Sequence, residues 1–225
     1  MITNTLFEYH LSEMETPFSG WDFSYITTTE RTISEPLTWS YRSQVLTRFR
    51  ESKSVLDMGT GGGEFLETLQ PFPEKLSATE GYAIAKERLE PLGVNVYGFE
   101  EDSRLPFDDL SFSLVMNKHE SYSPHELRRI LTDNGVFITQ QVGGKDMSEL
   151  NRKLGAPVDS PFEHWSLTYA VDELEGVGFK IIDAKEEFPY TRFYRDGLYQ
   201  IHKEIIEKGY IDFPSHRFFL RAITL

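Results

Sequence analysis

Four glycines fall within five positions in the segment SVLDMGTGGGEF, directly after a short apolar run. That run, SVLDM, has the continuous apolar character of a buried strand. Glycine inside an element costs about 0.5–1 kcal/mol relative to alanine, so a cluster at this position needs a reason. Glycine permits positive φ and a close approach of a ligand to the backbone, and a helix that starts here presents its N–H groups. We therefore interpret the segment as a ligand-binding loop, with a plain tight turn as the alternative.

Two familiar phosphate-binding loops do not fit these glycines. A P-loop requires G-x-x-x-x-G-K-[ST], and no Lys-Ser or Lys-Thr pair follows the cluster. The dinucleotide fingerprint G-x-G-x-x-G places its third glycine at Glu64 or Leu66, depending on the frame. The pattern that remains is D-x-G-x-G-x-G, formed by Asp57, Gly59, Gly61 and Gly63.

A second group of polar residues follows a later apolar run, in the segment MNKHESYSPHE. An unperturbed imidazole titrates near about pH 6.5, which makes His119 the candidate general base, with Glu120 as an alternative base or orienting partner. An ordinary loop histidine is the competing interpretation. His119 and His125 have no third ligand in view, so no metal site is expected. Gln140 and Gln141 end the next apolar run and are candidates for binding a polar acceptor, or simply cap that strand.

The elements that would hold these residues alternate between strands and helices after residue 53. Strands are predicted at SVLDM, KLSATEG, VNVYGF, SFSLVMN, VFITQQV, FKIIDAKEEF and HRFFLRAITL. Helices are predicted over 64–69, 82–93, 123–135, 146–155, 169–178 and 193–209. This alternation predicts a parallel sheet covered on both faces, with ligands bound outside the carboxyl ends of the strands.

The size of the chain, 225 residues with 39% hydrophobic and 14% aromatic, fits one domain over 1–225. We divide it into an aromatic N-terminal cap over 1–50, a ligand-binding core over 51–145 and a C-terminal part over 146–225. A helix near 38–50 is expected to end the cap and to lie over the sheet.

The composition excludes several classes of function. A formal net charge of −13 disfavours nucleic acid as a partner, because binding to phosphates depends on Lys and Arg. The absence of cysteine excludes disulfides, cysteine metal sites and thiol catalysis. No apolar run suggests a membrane span and the first residues lack a signal-peptide pattern, so we expect a cytoplasmic protein. The late cluster of Arg192, Tyr194 and Arg195 is interpreted as balancing nearby acids rather than binding an anionic substrate.

VLDMGTGGGEF resembles motif I of the class I S-adenosylmethionine-dependent methyltransferases, and three further segments follow in the order found in that family. They are SATEGY, EEDSRLPFDDLSFSLV and RRILTDNGVFI, and with motif I they cover about residues 50–142. The resemblance implies a Rossmann-like α/β fold: a seven-stranded, mostly parallel sheet with an antiparallel last strand, helices on both faces and a helical N-terminal cap. The chain departs from the family at Ser113, where Asp is frequent, and at 133–135, where DNG replaces Pro-Gly-Gly.

The resemblance also implies S-adenosyl-L-methionine as the cofactor and assigns residues to it. Glu80 would accept hydrogen bonds from the ribose hydroxyls, and Glu101 or Asp102 would reach the adenine amino group. Asn117 is expected to contact the cofactor with its side chain or its backbone. The predicted cofactor-binding set is completed by Asp57, Gly59, Thr60, Gly61, Gly63, Gly81 and Tyr82.

Trp39 and Tyr41 are expected to cover the cofactor, since a tryptophan face attracts a cation such as a sulfonium. Packing of the cap on the sheet is the alternative for both rings. The predicted activity is methyl transfer to a small-molecule acceptor, with His119 and Glu120 as the catalytic residues. An RNA-modifying methyltransferase and a non-catalytic domain that binds the cofactor are the alternatives, and the sequence leaves the acceptor, the methylated atom and the oligomeric state open.

Overall fold

The computed structural model describes residues 12, 32–81, 83–98, 104–153, 161–194 and 210–224. The chain forms two compact units. The larger unit comprises Leu37–Asp146, Ser160–Glu187 and His216–Leu225, and the smaller comprises Met1–Pro36, Met147–Asp159 and Phe188–Ser215. Among the described residues, no helix has the length and apolar character needed to cross a membrane.

The smaller unit contains a three-stranded antiparallel sheet that the sequence analysis did not predict. Numbered in chain order, its strands are β1 (Thr32–Ser34), β8 (Tyr190–Tyr194) and β9 (Tyr210–Pro214), arranged β1-β8-β9. Helix α5 (Ser148–Lys153) belongs to the same unit.

The larger unit is a seven-stranded sheet with helices. Its strands are β2 (Ser54–Met58), β3 (Lys75–Thr79), β4 (Asn95–Tyr97), β5 (Phe112–Lys118), β6 (Leu131–Val142), β7 (Phe179–Glu187) and β10 (Arg217–Thr224). Its helices are α1 (Tyr41–Glu51), α2 (Glu64–Glu67), α3 (Ala83–Leu89), α4 (Pro124–Ile130) and α6 (Leu167–Gly176), with a 3₁₀ turn at Glu90–Leu92. The strand order is β4-β3-β2-β5-β6-β10-β7.

The sheet has the predicted Rossmann-like arrangement. Strands β2, β3, β4, β5 and β6 pair in parallel, whereas β10 runs antiparallel to both β6 and β7. The chain builds β3 and β4 on one side of β2 and then returns to place β5 on the other side. This reversal puts the expected ligand position at the carboxyl ends of β2 and β5, where Met58 pairs with Asn117.

Buried side chains of the strands alternate between two apolar clusters, one for each face of the sheet. On β5, Leu114 and Met116 belong to one cluster and Val115 to the other. Phe49 of α1 joins the first cluster, and Leu174 of α6 joins the second. Both faces are therefore covered, as a parallel sheet requires.

Two predicted helices differ from the structure. The helix predicted over 123–135 begins as expected, with the Ser123 hydroxyl accepting from the Glu126 N–H at 3.4 Å, but it ends at Ile130. Leu131 is already extended and pairs with Phe112, because the edge of β5 offers a hydrogen-bonding partner that sequence periodicity does not reveal. The helix predicted over 193–209 is wrong at its first two residues, which end β8, and its remainder lies outside the described residues.

Candidate active site

The glycine cluster forms a tight loop between β2 and α2. Gly59, Gly61 and Gly63 have φ angles of 65°, 61° and 87°, in the left-handed region where a side chain is strained. The loop is tied to β3 at two points: the Thr79 hydroxyl accepts from the Gly59 N–H at 3.3 Å, and the Thr79 carbonyl oxygen accepts from the Thr60 N–H at 3.0 Å. Glycine is therefore required here for the turn itself, at the edge of the sheet where a ligand is expected.

Glu80 follows β3, and its carboxylate connects two backbone segments. Its Oε2 accepts from the Gly61 N–H at 2.7 Å, and its Oε1 accepts from the Gly81 N–H at 2.8 Å. A Cβ placed on Gly81 would meet no atom within 4 Å, so the space beside it is open. A carboxylate oxygen can accept more than one hydrogen bond, so this group suits the hydroxyl donors of a ligand.

Asp57 is a buried acid beneath the same loop, with 4% of its surface exposed. Burial raises the pKa of its carboxyl to about 7; the Thr60 hydroxyl and the Lys118 ammonium oppose the shift, and the Glu80 carboxylate adds to it. Thr60 Oγ1 is itself buried and acts on the Asp57 carboxyl without forming a hydrogen bond of ordinary geometry. A buried acid with a raised pKa in this loop fits a ligand that brings positive charge.

Asn117 lies at the carboxyl end of β5 and is fully buried. Its Oδ1 accepts from the Thr139 hydroxyl at 3.0 Å and from Gln141 Nε2 at 2.7 Å. Its carbonyl oxygen accepts from the Tyr41 hydroxyl at 2.9 Å. These bonds join α1, β5 and β6 and give Asn117 an internal role in holding the strand ends together.

Trp39 precedes α1 and reaches the end of β6. Its indole Nε1 donates to Gln140 Oε1 at 2.9 Å, and the amide Nε2 of Gln140 lies 3.2 Å from Nε2 of His119. Trp39 is 6% exposed, and its ring centroid lies 6.4 Å from that of Phe219. Tyr41 is buried as well, so both rings contribute to the core, and their contact with the cofactor stays a prediction.

His119 and Glu120 follow β5. His119 has a left-handed backbone with φ 66°, and its N–H donates to the Gln140 carbonyl oxygen at 2.8 Å. The residue is exposed, yet surrounding protein atoms together with the charges of Lys118 and Arg217 lower the pKa of its imidazole to about 4. The neutral ring is therefore the form present at pH 7.

Glu120 lies against the glycine loop. A Cβ built on Gly59 would be 2.6 Å from Cβ, Cγ and Oε2 of Glu120. The structure thus places the second proposed catalytic residue directly over the first glycine of the predicted cofactor loop.

Comparison with known proteins gives weak sequence matches to proteins that share one name, protein-L-isoaspartate O-methyltransferase. The chain matches no protein-family profile. It is 27% identical over 173 residues to the protein-L-isoaspartate O-methyltransferase of Chlorobaculum parvum, covering 72% of each chain. It is also 27% identical over 137 residues to the enzyme of the same name from Chlorobaculum tepidum, covering 55% of this chain and 62% of that relative.

Solved structures share the fold over most of the chain. A SAM-dependent methyltransferase from Aquifex aeolicus is 18% identical with a TM-score of 0.53, covering 91% of this chain and 100% of that one. The YcgJ protein of Bacillus subtilis is 15% identical with a TM-score of 0.58, covering 82% of this chain and 97% of that one. The sequence matches and the shared fold support the class I S-adenosylmethionine-dependent methyltransferase family for this chain. It is an enzyme, and its methyl donor is S-adenosyl-L-methionine.

The methyltransferase brings most of the predicted site residues to one edge of its sheet. The described members at the ends of β2, β3 and β5 are Asp57, Gly59, Thr60, Gly61, Gly63, Glu80, Gly81, Asn117, His119 and Glu120. Tyr82, Glu101, Asp102 and Arg195 lie outside the described residues. Arg192 and Tyr194 belong to β8 in the smaller unit.

The segment after Glu101 and Asp102 is held in place by an ion pair on α4. Glu126 Oε2 accepts from the Leu105 N–H at 2.8 Å and from Arg129 Nη2 at 2.7 Å, and Arg129 Nη1 donates to the Phe107 carbonyl oxygen at 2.7 Å. The Arg129 guanidinium lowers the pKa of Glu126, so the pair is charged at neutral pH. The depression of about 770 Å³ beside this segment is lined by the same charged groups and by none of the glycine-loop residues.

Sequence reasoning missed two threonines of this methyltransferase that organise the site. Thr79 fixes the glycine loop, and Thr139 donates to Asn117; both side chains are fully buried. The sequence does show that each threonine is a polar residue near the carboxyl end of an apolar strand. A polar side chain buried at such a position needs a hydrogen-bond partner, which could have identified both residues.

Proposed function

We propose that this methyltransferase transfers the methyl group of S-adenosyl-L-methionine to a small-molecule acceptor bound beside the carboxyl ends of β5 and β6. The observation that carries the proposal is the placement of His119: exposed, held to Gln140, and next in sequence to Glu120, which covers the glycine loop. An acceptor at His119 therefore lies next to the loop that we assign to the methyl donor.

The residues of the loop fit the cofactor. Bound S-adenosyl-L-methionine supplies a methyl group on an electrophilic sulfonium sulfur. We assign the ribose hydroxyls to the Glu80 carboxylate and a polar group of the cofactor to Thr60 Oγ1. The buried carboxyl of Asp57, with its pKa raised to about 7, becomes charged more readily when a cation lies near it. Cofactor binding at neutral pH is thus coupled to loss of a proton from Asp57.

A small acceptor is supported by the electrostatics of the chain. The formal net charge of −13 repels a polyanion such as RNA. Two cationic groups, Lys118 and Arg217, act on the His119 ring, and Arg217 is also paired with Asp146. A small acceptor with an electron-rich group suits this position.

A protein acceptor is the second candidate. It is favoured by the relatives from Chlorobaculum, which are named as acting on L-isoaspartate in proteins. The positive charges of Lys118 and Arg217 would also suit the carboxylate of such a residue.

The two candidates are separated by an assay with S-adenosylmethionine that carries a tritiated methyl group. The purified protein is incubated with a deproteinised, nuclease-treated cell extract, or with a peptide that contains L-isoaspartate and its L-aspartate counterpart. We expect label in the small-molecule extract and none in either peptide. Label in the isoaspartyl peptide alone, released as methanol by base, would establish the second candidate and reject the first. The Gly61→Val variant is the control for transfer that depends on the cofactor loop.

A further inference from the structure

The hydrogen bond between Trp39 and Gln140 settles the orientation of a buried amide. An indole N–H can only donate, so the group that faces it at 2.9 Å is the amide oxygen of Gln140. The amide nitrogen must then point the other way. Trp39 and Gln140 are 6% and 7% exposed, so water does not compete for this bond.

The orientation of the amide determines which nitrogen of His119 carries a proton. The amide nitrogen of Gln140, which has two hydrogens and accepts no hydrogen bond, lies 3.2 Å from His119 Nε2. Nε2 must therefore accept, and its lone pair is engaged with Gln140. In a neutral imidazole the proton then resides on Nδ1.

The backbone holds His119 in the same relation to Gln140. The His119 N–H donates to the Gln140 carbonyl oxygen at 2.8 Å, and φ of 66° is uncommon for a residue other than glycine. Residue 119 is thus joined to residue 140 through both backbone and side chain. Nδ1 has no hydrogen-bond partner among the described residues, and the side chain reaches solvent.

We infer that His119 donates a hydrogen bond through Nδ1 to the methyl acceptor and does not serve as a general base. A general base needs a free lone pair. The lone pair of His119 Nε2 accepts a hydrogen bond from Gln140, and Nδ1 carries the proton. The inference rests on the proposed function for the position of the acceptor. It implies that the acceptor presents a hydrogen-bond-accepting atom to Nδ1 and loses any proton to a group other than His119.

The charged groups around the ring support this assignment. Desolvation by the surrounding protein atoms, with smaller contributions from the Lys118 and Arg217 charges, lowers the pKa of the His119 imidazole to about 4. The ring therefore stays neutral through the range in which an enzyme of this kind is assayed, and its Nδ1–H remains available as a donor.

The tautomer can be measured directly on the ligand-free protein. Long-range ¹H–¹⁵N correlation spectra of protein labelled at histidine distinguish a protonated ring nitrogen from an unprotonated one. His119→Asn identifies the signal among the 6 histidines of the chain. We expect Nδ1 protonated and Nε2 unprotonated in His119 from pH 6 to pH 8. The Nε2–H tautomer or an imidazolium at pH 7 in the wild-type protein would overturn the inference.

Turnover provides a second test once an acceptor has been found. Asparagine places an amide where imidazole has Nδ1, tolerates positive φ, and cannot act as a base. If His119 donates, we expect His119→Asn to retain activity within about tenfold and His119→Ala to lose about tenfold more, mainly through a higher KM for the acceptor. If His119 is a base, both variants lose about 10²–10⁴-fold in kcat, and the inference is wrong.

The design separates this inference from the proposed function. Calorimetric titration of the wild-type protein with S-adenosylhomocysteine tests the cofactor loop alone. Absence of binding would reject the proposed function, whereas the tautomer of His119 would still be decided by the spectra.

Discussion

The Glu80 carboxylate accepts a hydrogen bond from the backbone N–H of Gly61 over 2.7 Å, which links the end of β3 to the glycine loop that follows β2. The other carboxylate oxygen accepts from the Gly81 N–H. One side chain therefore shapes the loop and presents the acceptor atoms that we assign to the ribose.

Replacing Glu80 with alanine is expected to weaken both S-adenosylmethionine and S-adenosylhomocysteine by about 2–3 kcal/mol, or roughly 30- to 150-fold. The two ligands carry the same ribose, so the two factors should agree. The loop also loses two acceptors, and we expect about 1 kcal/mol less stability. Glu80→Gln retains one acceptor oxygen and should lose about tenfold in affinity. Calorimetry gives the affinities, and wild-type affinity in Glu80→Ala would refute the ribose assignment.

The raised pKa of Asp57 predicts a pH-dependent stability. Its folded pKa of about 7 lies above the unfolded value of about 3.9, so the stability linked to the neutral acid is complete below about pH 3.9 and is lost as the pH rises to about 7. Asp57→Asn stays neutral throughout. Relative to wild type, its free energy of unfolding should therefore rise by about 2–3 kcal/mol between pH 5 and pH 8. Urea denaturation without cofactor measures this, and a difference independent of pH would show that Asp57 titrates normally.

Gly59 is predicted to tolerate no side chain. A Cβ there would lie 2.6 Å from three atoms of Glu120, and φ of 65° adds about 1–2 kcal/mol of strain. Gly59→Ala should therefore reduce the affinity for S-adenosylmethionine at least tenfold, and Gly61→Val should abolish binding with the fold retained. The double variant Gly59→Ala/Glu120→Gly removes all three clashing atoms and should recover part of the affinity. Equal losses with and without Glu120 would show that the clash is unimportant.

Gly143 offers a test of packing at the carboxyl end of β6. A Cβ there would lie 1.9 Å from Nδ1 of the buried His216, which is fixed by Glu186 Oε1 at 2.8 Å from its Nε2. Gly143→Ala should therefore destabilise the protein by about 1–3 kcal/mol or more. Gly176→Ala in α6 is the matched control, because its Cβ would meet nothing within 4 Å and should be neutral or stabilising by up to about 1 kcal/mol. Thermal unfolding compares the two, and equal midpoints would contradict the packing around His216.

Much of the site follows from local pattern. The run SVLDM predicts a buried strand, and the glycines behind it predict a turn with positive φ, as Gly59 and Gly61 show. The apolar run of the next strand likewise predicts that Glu80 lies at its carboxyl end, directly after β3. The direction of the last strand and the identity of the cofactor came from the resemblance to a family and not from periodicity.

Other features depend on contacts between residues far apart in the chain, which no local pattern encodes. Trp39 donates to Gln140 across 101 positions, and this bond orients the amide that faces His119. Glu120 lies on Gly59 only because β5 is placed beside β2. Helix α4 ends at Ile130 because Leu131 finds a partner in Phe112. The sequence by itself therefore determined the strands of the seven-stranded sheet and the glycine loop. Strand pairing in the tertiary structure decided which polar groups meet and which nitrogen of His119 accepts from Gln140.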